Sequence, residues 1–191
     1  MRVVPKHRRL IIGSRVFKVF EYNKAFIPDV SDDNPILCAI FSEIRFEFYI
    51  AGGRHINIWN AKDGKPTRCL KNCMESDITS IALDKDHRKL IVGSHLGKVK
   101  VFDILSGVVM NVLDPHSEEN GEISFIGYGG EDLTIITTAW DKTVKVHKDD
   151  RNEQLTAHDN VMREKRLCHK KDIKCGDYAH NLGLIATGGS D

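Results

Sequence analysis

One phrase constrains the fold of this chain more than any other: residues 89–103, KLIVGSHLGKVKVFD. An apolar run closing on Gly-Ser, a short polar turn and the alternation Lys98-Val99-Lys100-Val101 predict two antiparallel strands joined by a tight hairpin, the second with one wet and one buried face. The phrase recurs. It is written as LIIGSRVFKVFE at 10–21, YIAGGRHINIWN at 49–60, IITTAWDKTVKVHK at 135–148 and LIATGGSD at 184–191. Anchored on Gly13, Gly52, Gly93, Thr138 and Gly188, successive copies lie 39, 41, 45 and 50 residues apart. A unit of that size, made of strand, hairpin and strand, buries its apolar faces only by stacking on its neighbours, so the copies must form an array.

Repeats of about 40 to 45 residues built from short strands are the blades of a β-propeller, and the expected fold class is all-β. The repeat divides the chain into a partial blade at 1–35, blades at 36–71, 72–114 and 115–168, and a partial blade at 169–191. The expected strands of the first are 10–14 and 16–21, followed by a loop at 22–35 rich in Asp, Asn and Pro. The next has 36–41, 46–51, 55–60 and 67–70, and the third 78–83, 89–94, 98–103 and 108–113. The fourth has 123–128, 133–138, 143–148 and 161–167, with the polar stretch 149–160 expected to be an exposed loop. The last unit has only 173–178 and 182–188. Residues 1–9 are too few for an inner strand ahead of the first hairpin. The chain is therefore expected to be a segment of a longer propeller whose remaining blades come from the same or a neighbouring chain. Alone, it is expected to aggregate or dimerise through its open strand edges.

Composition excludes some classes. Lys plus Arg number 28 against 27 Asp plus Glu, a net charge of +1 that gives no general field for nucleic acid or an anionic membrane, and neither is expected as a partner. The longest apolar run, 36–41, is far short of the roughly 20 residues that span a bilayer. MRVVPKHRRLII at the start lacks the apolar core and cleavage site of a secretory signal. The five cysteines, Cys38, Cys69, Cys73, Cys168 and Cys175, are odd in number and irregular, which suits a reducing compartment. Cys38 and Cys175 fall in expected strands, as small hydrophobes. Cys69, Cys73, Cys168, His169 and His180 include zinc-ligand types but lack paired Cys-x-x-Cys knuckles, so no metal or other cofactor is expected.

Residues 167–191, LCHKKDIKCGDYAHNLGLIATGGSD, resemble a unit of the WD-repeat β-propeller family. In that family a His before the inner strand, a hydroxyl in the second strand, an Asp in the following turn and a Trp on the third strand form a buried hydrogen-bonded network. The resemblance places His169, Thr187 and Asp191 in these roles. It places His116, Thr137 and Asp141 in the preceding unit, where His147 replaces the Trp. Val92, Leu96 and Phe102 take the hydroxyl, Asp and Trp positions at 89–103, so that blade is expected to rest on apolar packing alone. Trp59 keeps the aromatic, but its repeat lacks the Asp. RRLIIGSRVFKVFEY, DDNPILCAIF, INIWNAKDGK, KLIVGSHLGKVKVFD and TTAWDKTVKVH, in this order, are similar to ciliary and flagellar WD-repeat proteins that carry an upstream EF-hand region. The likeness covers nearly all of the chain. No D-x-D-x-D-G loop is present, so nothing about calcium carries over.

The catalytic inventory is thin. G-x-S-x-G, G-x-x-x-x-G-K-[ST], H-E-x-x-H and G-x-G-x-x-G after a strand are all missing from the sequence. His169, Thr187 and Asp191 mimic a triad, but their repeat-bound spacing points to structure. The basic cluster Arg163, Lys165, Arg166, His169, Lys170 and Lys171 is first of all a solvated edge strand and turn. It is also the one patch suited to an acidic partner such as a tubulin surface. The expectation is a non-enzymatic protein-interaction scaffold of the ciliary or flagellar axoneme, part of the cytoskeleton and bound to axonemal proteins. The alternative is a cytoplasmic adaptor in ubiquitination, trafficking or ribosome assembly.

Overall fold

The computed structural model describes residues 2–4, 9–13, 17–21, 35–117, 119–129, 133–149, 162–179 and 182–191, with the side chains of 2–4, 9–13, 17–21 and 162–166 left out. Most of the loops expected at 22–35 and 149–160 lie outside the described residues. The chain forms two compact units, Met1–Asp77 and Ile78–Asp191. All seventeen elements of regular structure among the described residues are strands. None is a helix long and apolar enough to cross a membrane.

In the first unit, β1 (Arg2–Val4), β2 (Arg9–Gly13) and β3 (Phe17–Glu21) form a three-stranded antiparallel sheet. The expectation that 1–9 could not supply an inner strand is corrected here, because Arg2 pairs with Ile11 and Val4 with Arg9. Three residues complete a short ladder yet leave too little alternation to be read from sequence. The second sheet runs β4 (Cys38–Ser42), β5 (Glu47–Gly52), β6 (His55–Asn60) and β7 (Pro66–Leu70), in that spatial order. Its apolar cluster joins Phe48, Ile50, Trp59 and Ala61, with Ile36, Phe41 and Phe46 packed against them. Phe41 and Phe48 stack with ring centroids 4.7 Å apart. Cys38, at the start of β4, is half-buried.

In the second unit, β8 (Ile78–Leu83), β9 (Lys89–Ser94), β10 (Val99–Asp103) and β11 (Val109–Leu113) form one four-stranded sheet. A second is formed by β12 (Ile123–Gly129), β13 (Thr134–Ala139), β14 (Thr143–Lys148) and β15 (Met162–Leu167), and β16 (Ile173–Ala179) pairs with β17 (Leu184–Gly189). The sheets stack through their inner strands. Ile91, Val99 and Val101 of one meet Ile123, Ile126 and Ile135 of the next in a buried cluster, and Ile136 and Val144 meet Ile173. Each buried isoleucine contributes about 1.5 to 3 kcal/mol of hydrophobic stabilisation. Gly93 lets the sheets approach, since a Cβ there would stand 2.7 Å from Ile123 Cγ2. Thr79 Oγ1 donates to Ile123 O at 2.7 Å across the same seam. Cys175 is exposed rather than packed as a small hydrophobe, because β16 turns that position outward.

Candidate functional site

The segment after β11 runs back over the second unit, and His116 is buried at its centre. Its backbone N–H donates to Gly97 O at 2.9 Å, which fixes the segment to the β9–β10 turn. Nδ1 of His116 lies 3.1 and 3.0 Å from the two oxygens of Asp141, and Nε2 lies 2.8 Å from Thr137 Oγ1. Asp141 also accepts from Thr143 Oγ1 at 2.7 Å, Thr143 N at 3.0 Å and Ser117 N at 3.1 Å. Nδ1–H of His116 thus donates to the carboxylate, and Nε2 pairs with the Thr137 hydroxyl. Thr143 and Ser117 were not read from sequence as members of this network. The signal for Thr143 was available, since a residue two positions after a turn aspartate offers its N–H in an Asx turn.

Two neighbours complete the arrangement. Lys145, buried on β14, donates from Nζ to Pro115 O at 2.7 Å. His147 is buried beside it, its Nε2 3.4 Å from Thr137 Oγ1, and its Nδ1 has no hydrogen-bond partner among the described residues. Burial holds the His147 imidazole down at about 4, and the nearby His116 and Lys145 charges push the same way while Asp114 opposes. Burial alone would raise the Asp141 carboxyl. The hydrogen bonds from His116 and Thr143 outweigh that and hold it well below the usual carboxylate range.

The second set lies at the sheet of β16 and β17. His169 Nδ1 is 2.8 Å from Asp191 Oδ1, His169 Nε2 is 2.9 Å from Thr187 Oγ1, and Lys170 N donates to Asp191 Oδ2 at 3.1 Å. Trp59 belongs to the first unit, where it packs inside the apolar cluster of its own sheet. The first set presents no nucleophile at the surface. Thr137 has no exposed surface, and a hydroxyl that cannot meet a substrate cannot attack one.

Of the basic residues named from sequence, Lys170 and Lys171 are exposed, and Arg163, Lys165 and Arg166 sit on β15, the outer strand of its sheet. The side chains of those three lie outside the described residues. The expectation that the 89–103 blade rests on apolar packing alone is corrected by Lys89. Its Nζ donates to Asp149 Oδ1 at 2.6 Å, and Tyr128 OH donates to Asp149 Oδ2 at 2.8 Å. Asp149 is 4% exposed, so it is a buried partner rather than the first residue of an exposed loop. The carboxylate is drawn inward because Lys89 and Tyr128 leave it no unpaired oxygen.

The WD domain, G-beta repeat family matches residues 64–103. Four-stranded antiparallel sheets stacked through their inner strands, with His, Thr and Asp tying loop to sheet, agree with that match. Residues 64–103 are a WD repeat. It is similar to cilia- and flagella-associated protein 337 B of Tetrahymena thermophila, 27% identical over 116 residues, or 61% of this WD-repeat chain. It is also similar to human WD repeat-containing protein 3, 24% identical over 153 residues, or 77% of the chain. It spans 9% and 15% of the lengths of those relatives. Among solved structures, a chain of the mitotic checkpoint complex superposes with a TM-score of 0.78 at 12% identity, covering 96% of this chain and 56% of that one. The computationally designed Ika8 protein gives 0.71 at 17% identity, covering 95% and 52%. Both likenesses establish the propeller fold.

Proposed function

We propose that this WD-repeat chain is a non-enzymatic scaffold for protein assembly in the axoneme of a cilium or flagellum. The observation that carries the reading is the similarity, over most of the chain, to a cilia- and flagella-associated protein. The hydrogen-bonded loops support it, because a face held rigid before binding loses little further entropy when a partner arrives. Arg163, Lys165, Arg166, Lys170 and Lys171 form its contact for an acidic partner, of which a tubulin surface is one. No cofactor takes part. Fractionation of ciliated cells that express the tagged full-length protein tests the reading. The protein is expected to stay with the microtubule skeleton after detergent extraction. Complete release into the detergent-soluble fraction would instead favour an adaptor in a soluble complex, the role that likeness to WD repeat-containing protein 3 leaves open.

A further inference from the structure

Three loops of the second unit meet around Trp140. The β13–β14 turn carries Trp140 and Lys142, the segment 119–122 lies to one side and the β15–β16 loop to the other. Trp140 N donates to Glu122 O at 3.0 Å, and Cys168 N to Lys142 O at 3.1 Å, so the three are fixed to one another. Lys174, on β16, lays its Nζ 3.2 Å from the centroid of the half-buried Trp140 ring. The same Nζ donates to Asp172 Oδ2 at 3.2 Å, and its side chain remains 40% exposed. One face of the ammonium rests on the ring and one donor is used, so the remaining donors face solvent from a fixed position.

The carboxylates around this face are already engaged. Asp141 is held by His116, Thr143 and Ser117, Asp191 by His169 and Lys170 N, and Glu122 by His95 at 2.7 Å. Asp172 also sits 3.4 Å from Asn120 Nδ2. Glu119, exposed on the neighbouring loop, pairs with none of the lysines here. Lys142, Lys170 and Lys171 therefore have no carboxylate partner among the described residues. Exposed Lys170 and Lys171 thus lie on the loop that is tied to the Trp140 turn, beside the Lys174 ammonium over the ring.

We propose that this face docks an extended acidic peptide, with one carboxylate taken by Lys174 over the Trp140 ring and others by Lys170 and Lys171. The proposal rests on the scaffold reading and deepens it: Trp140 and Lys174 supply a fixed anchor that the basic patch lacks. Charge complementarity selects the acidic partner, and the pre-placed lysine reduces the ordering cost of binding it.

The test is fluorescence anisotropy of the full-length protein with a labelled (Glu-Ala)5 peptide and its (Gln-Ala)5 counterpart. The glutamate peptide is expected to bind at least about tenfold more tightly, with affinity falling as salt rises. Lys174→Met and Trp140→Ala are each expected to weaken binding about fivefold. The double change Lys170→Gln with Lys171→Gln should weaken it and flatten the salt dependence, while Lys85→Gln, in the β8–β9 turn, should have no effect. Circular dichroism confirms that each variant is folded, and Trp140→Phe, which keeps a ring, is expected to retain more affinity than Trp140→Ala. Equal binding of the two peptides, or wild-type affinity in folded Lys174→Met and Trp140→Ala, would overturn the proposal. Failure here with retention in the axonemal fraction would leave the scaffold reading standing. Peptide binding by a protein that washes out with detergent would uphold this face and overturn the axonemal assignment.

Discussion

His116 and His169 hold the same atoms in the same order. Each sets Nδ1 against an aspartate, at 3.0 and 2.8 Å, and Nε2 against a threonine hydroxyl, at 2.8 and 2.9 Å. Their surroundings differ. The side chains of His116 and Asp141 are 0% and 7% exposed, and those of His169 and Asp191 are 19% and 29% exposed. Water can reach the partners in the second set but not the His116, Thr137 and Thr143 groups of the first, so equal geometry carries unequal energy. The buried set also recruits more groups, since Thr143, Ser117 and Lys145 all fasten the same loop. Shared geometry therefore identifies the motif, while burial decides how much of the fold depends on it.

The largest expected effect comes from removing the acceptor in each set. Asp141→Ala strands His116 Nδ1–H, the Thr143 hydroxyl and the Thr143 N–H, and is expected to destabilise by about 2 to 3 kcal/mol. Asp191→Ala exposes its former partners to solvent and is expected to melt close to wild type. Urea unfolding of both variants beside the wild type checks the contrast. Equal losses in the two would mean that burial does not separate them.

Acid sharpens the comparison, because the buried set has a second histidine. The folded pKa of His147 lies at about 4, below its ordinary 6.5, so the unfolded chain binds a proton that the folded one rejects. The stability contributed by neutral His147 is fully present above about pH 6.5 and is lost as pH falls toward 4. Between pH 7.5 and pH 5 the loss amounts to about 2 kcal/mol. Asp141, depressed in the fold, adds a further loss only as pH falls below its ordinary value of 3.8. His147→Phe is expected to flatten the first of these steps and leave the second. An unchanged pH slope in that variant would show that the acid sensitivity arises elsewhere.

Much of this architecture is legible in the sequence, for a physical reason. Strands such as Ile78–Leu83, Lys89–Ser94, His55–Asn60 and Thr143–Lys148 combine β-branched runs with turn residues at both ends, and their bounds follow from period and punctuation. The Thr and Asp of each network recur at the spacing set by the same hairpin, while the His stands 21 residues before Thr137 and 18 before Thr187. What escapes is whatever the repeat does not encode. Lys89 and Asp149 are 60 residues apart, and no periodicity relates them or brings in Tyr128. Lys174 over Trp140 joins a strand to a turn of the preceding sheet, a contact that depends on how one sheet stacks on the next. Leu96, in the Asp position of its repeat, is 44% exposed, so it fills no gap left by the missing network. The tie for that blade lies at Lys89.

The smallest expected effect separates the two sets by what surrounds a glycine. A Cβ on Gly121 would stand 2.0 Å from Ser117 O, a backbone atom of the loop that carries His116. Gly121→Ala must move that loop, and is expected to cost about 1 to 2 kcal/mol. A Cβ on Gly189 would stand 2.4 Å from Asp191 Oδ1 and 2.6 Å from His169 Nδ1. Those are side-chain ends beside solvent, free to swing aside, so Gly189→Ala is expected to leave the melting temperature unchanged while parting His169 from Asp191. The hydrogen bond from His169, followed by that from Lys170 N–H, is what lowers the Asp191 carboxyl. A carbon-detected NMR titration should therefore find Asp191 moved back up toward its ordinary range in Gly189→Ala, with Asp141 unaffected. If Asp191 keeps its depressed titration, the alanine is accommodated without breaking the contact. If the variant melts as low as Gly121→Ala, the exposed set supports the fold as much as the buried one, and the contrast between them fails.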